Sequence, residues 1–553
     1  MVHRQCPWLH LGWSALAVLA LLGATASPAA AQYFGRNKVQ YKDLEFQILK
    51  TEHFDIYFYP TAREGVEMSA RMAERWLARL EKQLDHQLRG RQPLVLYASH
   101  VDFQQTNTIM GDIGEGTGGV TEALRRRIIL PLAGPLADTD HVIGHELVHA
   151  FQFDMTTRPD SAPGETGANR LPLWFIEGMA EYLSVGPVDP HTAMWLRDAV
   201  RDDKLPTIRD LDNPRYFPYR WGQAFWAYVA GRFGEGVIPR MLVIGAAAGS
   251  TEAAIKQVLG VEEKELSSAW QASMRAAYAD VLEQATPPNE VGRFVLSEDD
   301  LGARMNLGPA LSPDGKWIAF LSERSLISVD LYVADTATGK RIRKLTSTAT
   351  SPHFSSLQFI YSAGSWDAAS ERIAIATVAD GKAAIVVINA MNGDRERTIT
   401  IDEVDEAFNP TWAPDGRSIA FTGMARGLTD LYVLDVQSGA VRALTSDPWA
   451  DLQPAWSPDG RRIAFITDRF SSKLDVLDFG PFRLGLIDPA TGRVEQVPAF
   501  TDGKMINPQW APDSAGLYFI SDRNGVSNLY RVTLDGDVTQ MTNVTTGLSG
   551  ITA

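Results

Sequence analysis

Cysteine is almost missing: one in 553 residues, at Cys6. A chain this poor in thiols has no disulfide framework, no cysteine metal cluster and no thiol nucleophile beyond that position. Positive charge is also short. Lysine and arginine number 52 against 67 aspartates and glutamates, a formal net charge of −15. That balance argues against nucleic acid or an anionic lipid surface as a main partner. Long apolar runs are scarce. The run Ser14 to Ala26 falls short of the roughly 20 residues a membrane-spanning helix needs. It follows Arg4 and precedes Ala29-Ala30-Ala31, so residues 1–31 read as a cleaved secretory leader. The protein is expected in the periplasm, at the cell envelope or in the medium, with no transmembrane span in the mature residues. No G-x-S-x-G nucleophile elbow occurs either. Gly547-Leu548-Ser549-Gly550-Ile551 lacks the final glycine, so a serine hydrolase would require further chain beyond Ala553.

What is present is ordinary globular composition, 45% hydrophobic and 22% charged. The chain is too long for one core, which predicts two or more domains. The most informative stretch is His145-Glu146-Leu147-Val148-His149, an H-E-x-x-H pattern. Positions i and i+4 share a helix face, so both imidazoles can reach one metal ion, with the glutamate beside them as a base. The flanking Val142, Ile143, Leu147, Val148, Phe151 and Phe153 predict a buried helix. His141, four residues before His145, shares the same face and is the one near rival as a ligand. A second apolar helix is predicted over LPLWFIEGMAEYLS, with Glu177 and Glu181 four apart. A catalytic zinc takes three protein ligands and leaves one position open. Gln152 and Met155 stand where the glycine and third histidine of a metzincin would be, so a carboxylate is the natural third ligand. Glu177 is the best placed.

Together, H-E-x-x-H and W-F-x-E-G-x-A-E-Y resemble the gluzincin metallopeptidases: thermolysin, the aminopeptidase-N family and the bacterial peptidase MA-like hydrolases. The resemblance implies an α+β zincin-type domain that hydrolyses peptide bonds with Zn2+ held by His145, His149 and Glu177. Glu146 would be the general base and Glu181 an outer partner of a ligand histidine. Tyr219-Arg220-Trp221-Gly222 resembles the Tyr-x-x-Gly of the aminopeptidase-N family, whose tyrosine steadies the oxyanion. Tyr216 is an equal rival for that role. Residues 114–134 read as a glycine-rich hairpin. In gluzincins an edge strand here binds the substrate backbone, so Gly118 and Gly119 are candidate substrate-binding residues. The aminopeptidase-N family carries Gly-Ala-Met-Glu-Asn at this place. The sequence here is GGVTEA; Glu122 is the third candidate substrate-binding residue, in place of the amine-gripping glutamate, but the match is poor and aminopeptidase specificity is not supported.

Residues 32–60 alternate as strands, 62–89 as an amphipathic helix, 93–99 as a strand, and 190–284 as helix throughout. Residues 285–293, rich in proline and polar side chains, read as a linker between a peptidase domain (32–284) and an all-β domain (294–553). The second domain carries a repeat: LSPDGKWIAFLSER, WAPDGRSIAFTG, WSPDGRRIAFITDR, WAPDSAGLYFISDR and a degenerate WDAASERIAIAT. Its marker aspartates, Asp314, Asp367, Asp415, Asp459 and Asp513, are 53, 48, 44 and 54 residues apart. The repeat resembles the β-propeller of TolB and of the dipeptidyl-peptidase family, the PD40 or WD40-like type. The aspartates are expected to form turns rather than bind metal, and Trp412, Trp456 and Trp510 to wedge the core. Five blades are visible, and 547–553 resembles the opening of a sixth. Either the chain continues, or 294–300 helps close the ring. A propeller implies a docking surface for substrate or for an envelope protein. The rival expectation is a catalytically silent envelope scaffold of TolB type.

Overall fold

The computed structural model describes residues 42–552 except 110–112, 115, 298–302, 304, 326–327, 341, 347–355, 358–363 and 380. The expected leader lies outside these residues. Among them no helix is long and apolar enough to cross a membrane.

The N-terminal half is built on a five-stranded mixed sheet. Its strands are β1 (Gln47–Lys50), β2 (Phe54–Phe58), β3 (Gln92–Tyr97), β4 (Val120–Glu122) and β5 (Arg127–Pro131), in the order β1-β2-β3-β5-β4. The central three are parallel, and β4 closes one edge antiparallel to β5. A parallel β2–β3 pair requires a crossover, and α1 (Arg63–Leu84) supplies it. Its buried stripe of Val66, Ala70, Ala73, Trp76, Leu80 and Leu84 recurs every third or fourth residue and packs the helix on the sheet.

Six further helices frame the site: α2 (Leu136–Thr156), α3 (Leu173–Val185), α4 (Pro190–Arg201), α5 (Pro218–Phe233), α6 (Val237–Ala248) and α7 (Glu263–Gln284). Two close crossings set the geometry. Trp76 of α1 lies on Gly144 of α2, where a Cβ would come within 2.6 Å of the ring. Gly178 of α3 meets Gly222 of α5, where a Cβ on Gly178 would sit 2.2 Å from the Gly222 Cα. Trp174, Phe175, Phe225, Trp226 and Trp270 fill the core around the second crossing.

The C-terminal half is a propeller of five antiparallel blades. The blades span 306–344, 356–400, 406–443, 451–496 and 505–540. The Pro-Asp turns work through their aspartates: Asp314, Asp415, Asp459 and Asp513 each accept the backbone N–H two residues on. Trp366 and Trp510 wedge between blades, each donating its indole N–H to the preceding blade, at the Ala310 and Ala455 carbonyls. The inner strands of blades one, three, four and five carry a register shift at a residue before proline, Gly308, Asn409, Gln453 or Asn507, with positive φ. From there Gln453 Oε1 accepts the Asn507 N–H, and Asn507 Oδ1 accepts that of Ile551. Thr552 Oγ1 then accepts the Leu311 N–H of blade one. Residues 551–552 therefore bridge the fifth blade to the first. Of the other candidate for closure, 294–300, the described residues lie on blade one: Val295 is against Gly339 and Leu296 packs with Phe320, Tyr332 and Ala334.

The two halves meet over a broad surface. Leu428 and Leu477 of the propeller belong to the N-terminal core. Arg197 of α4 donates to the Thr545, Gly525 and Thr546 carbonyls of the last blade region at 3.1, 3.1 and 2.7 Å. Lys42 lies between Asp102 and Asp405. The stretch read as a linker starts fixed to the propeller: Thr286 N–H donates to Asn543 O at 2.7 Å and Thr545 N–H to Thr286 O at 3.1 Å. Composition marks 285–293 as a connector, but pairing with a distant strand is invisible to composition.

Candidate metal centre

α2 is buried along almost its whole length, with His145, Glu146 and His149 all inside. α3 brings Glu177 against it. His145 Nε2 and His149 Nε2 are 3.2 Å apart, and each is 3.2 Å from Glu177 Oε2. The three atoms form an equilateral triangle. Ligands about 2.0–2.1 Å from a tetrahedral zinc are separated by about 3.3 Å along each edge. The donor set and its spacing thus fit that ion. Among the described residues two other groups bring three such side chains together. Asp430, Asp447 and Asp451 are each ion-paired, the first to Arg426 and the other two to Arg469. The other joins His141, His145 and Glu181 and belongs to the shell around the triangle.

That shell orients the imidazoles. Gln152 Oε1 lies 2.8 Å from His149 Nδ1, and its amide is held by the Ile176 carbonyl. A carbonyl oxygen can only accept, so Nδ1 carries the proton and Nε2 faces the triangle with its lone pair. Glu181 Oε2 lies at ion-pair distance from His145, 3.3 Å from Nδ1. Glu181 is itself gripped by Arg220, which also binds Asp189, the N-cap of α4. His141 Nε2 lies 3.6 Å from Glu181 Oε2.

Charge concentrates strongly here. Burial pushes both imidazoles down, but the surrounding carboxylates outweigh it and raise them, His145 to about 10 through Glu177 and Glu181. Against burial, the two imidazoles hold Glu177 well below the usual carboxylate range. The cavity favours cationic charge, and a metal ion competes with protons for the same atoms. Burial depresses His141 despite Glu181.

The remaining candidates divide. Tyr219, on the first turn of α5, stacks its ring on His145 at 5.7 Å. Burial, with the charges of Glu177 and Glu146 nearby, keeps its hydroxyl protonated. Tyr216 points elsewhere, packed edge-on against Trp221 and bonded to Arg215. Gly119 lies directly on Glu146, where a Cβ would meet the carboxylate side chain at 2.8 Å, and Gly118 faces Val142. Thr121 of β4 donates to Glu146 Oε2 at 2.7 Å. Glu122 is committed across the hairpin to Arg127 at 2.6 Å, which leaves no free carboxylate for a substrate amine. Sequence reasoning missed Thr121, Gln152, Arg220 and Asp189. Only Gln152 left a local signal, three residues after His149 on the same helix.

Comparison with known proteins bears on the other half. Residues 355–473 match the family model described as the TolB beta propeller domain. A stretch of 145 residues is 30% identical to dipeptidyl-peptidase 5 of Porphyromonas gingivalis, covering 24% of this chain and 20% of that peptidase. The chain thus matches about a fifth of that relative's length. TolB of Acinetobacter baumannii is similar at 19% identity and a TM-score of 0.35, over 50% of this chain and 69% of its own. An acylaminoacyl peptidase is similar at 19% identity and a TM-score of 0.31, over 43% and 38%. The C-terminal half carries a TolB-like PD40 propeller of five blades.

Proposed function

We propose that the N-terminal half is a zinc-dependent peptidase of gluzincin type, exported across the inner membrane and joined to a propeller that binds substrate or an envelope partner. The observation that carries this reading is the triangle of His145 Nε2, His149 Nε2 and Glu177 Oε2 at 3.2 Å, with Glu146 and Tyr219 on its margin. A zinc ion held there would supply Lewis acidity toward a carbonyl oxygen and would acidify water. The chain's own groups divide the rest of the work. Glu146, aimed by Thr121, takes the proton of the attacking water and delivers it to the departing nitrogen. Tyr219 remains a phenol and donates a hydrogen bond to the oxygen that gains charge. Among the described residues β4 is an edge strand of the sheet and lies beside Glu146, a place where an extended peptide would add as a further strand.

The test is cleavage of a peptide library by the purified protein, with and without a chelator, alongside Glu146→Gln. The reading requires hydrolysis that the chelator abolishes and zinc restores, and that the variant lacks. A wild-type protein that binds zinc and cleaves nothing would instead favour the envelope scaffold.

A further inference from the structure

Trp195 and Phe217 are large aromatic side chains left 38% and 43% exposed. Their rings lie 5.7 Å apart, Phe217 is 5.1 Å from Tyr219, and Tyr219 is 5.7 Å from His145. The four rings form one continuous row from a candidate ligand to the surface. The burial of each helix does not require the outer two. Phe217 is the N-cap residue of α5 and makes no side-chain cap. Trp195 sits on α4, which buries Leu196 and Ala199 and docks on the propeller through Arg197. Glu181 and Asp189 are already paired, sharing Arg220. A scattered exposed aromatic is ordinary, whereas a contiguous row ending at a reactive group marks a contact for an apolar ligand.

We propose that Trp195 and Phe217 form a specificity subsite for a bulky apolar side chain, aromatic above all, adjoining the bond that is cleaved. The proposal rests on the peptidase reading and names the substrate class of that site. An extended peptide beside β4 presents every second side chain to one wall, and the row gives that side chain a flat apolar surface. Stacking suits Phe, Tyr and Trp, and contact area suits Leu and Met.

Two capped peptides of Ala, Gly and Ser are compared, one with a single central Phe and one with Ala in its place. kcat/KM is measured on the wild type, and affinity is measured by calorimetry on Glu146→Gln. The subsite predicts a Phe-over-Ala ratio of roughly 10- to 100-fold in both measurements. It predicts a ratio near one in Trp195→Ala and Phe217→Ala, and recovery in Trp195→Phe. General damage would lower both peptides together and leave the ratio intact. A ratio near one in the wild type, or one unchanged by the alanine variants, overturns the proposal. Discrimination in binding by Glu146→Gln with no cleavage by the wild type would keep the subsite and remove the peptidase reading.

Discussion

Glu146 is not one of the three atoms of the triangle, and this separates its role from that of its neighbours. Glu146→Gln keeps the shape and the Thr121 hydrogen bond but cannot accept a proton. It should retain zinc and lose at least about 10²–10⁴-fold in turnover. Tyr219→Phe should lose about 10²–10³-fold, the usual worth of one oxyanion donor. Steady-state kinetics on one cleaved peptide checks the order of the two. Gln152→Leu should weaken zinc by about 10–100-fold, because His149 loses the partner that fixes its tautomer; competition with a chelating dye reads this directly. At this scale the sequence was legible where helical spacing decides proximity. His145 and His149 had to share a face, and Glu177 and Glu181 had to lie one turn apart. Thr121, Arg220 and Asp189 reach the site through tertiary packing, which no local pattern encodes. Tyr216 and Tyr219 could not be separated until the start of α5 was oriented.

Helix crossings decide whether those residues meet. Gly178 follows Glu177, and Gly222 lies three residues after Tyr219; the two glycines touch and bring their neighbours to one place. A Cβ on Gly222 would be 2.0 Å from the Trp174 carbonyl, so Gly222→Ala must push α5 off α3. We expect a loss of about 1–3 kcal/mol in urea unfolding together with weaker zinc binding. Gly231 lies in the same helix, and a Cβ there would meet nothing within 4 Å. Gly231→Ala should therefore be neutral or gain up to about 1 kcal/mol from helix propensity. Equal effects at both positions would mean that the crossing does not set the site. In the propeller, the repeat of a turn aspartate followed by an apolar strand made five blades legible in advance. The hand-over from Gln453 to Asn507 to Ile551 was not, because an amide side chain bonding the next blade leaves no periodic signature distinct from solubility.

The whole molecule behaves as two halves clamped together, and composition gave no hint of the clamp. Glu406 of the propeller is buried in it and accepts the His100 N–H. Burial, with Asp405 and Asp102 nearby, outweighs those backbone bonds and raises its carboxyl to about 7. The folded state then holds that proton more tightly than the unfolded chain, whose glutamate titrates near 4.5. This contribution is complete below about pH 4.5 and is lost as pH rises through about 7. Glu406→Gln keeps the acceptor and removes the charge. Its melting temperature should match the wild type at about pH 5 and exceed it at about pH 8 by on the order of 1–3 °C. Scanning calorimetry at the two pH values checks this, and parallel behaviour at both would place Glu406 outside the clamp.

The most direct test of the central claim is the zinc content of the purified full chain, measured by mass spectrometry after dialysis against a weak chelator. The wild type and His141→Ala should each hold one zinc per chain, while His149→Ala and Glu177→Ala should hold little or none. A wild type without zinc, or a His149→Ala that keeps it while His141→Ala loses it, would contradict the assignment.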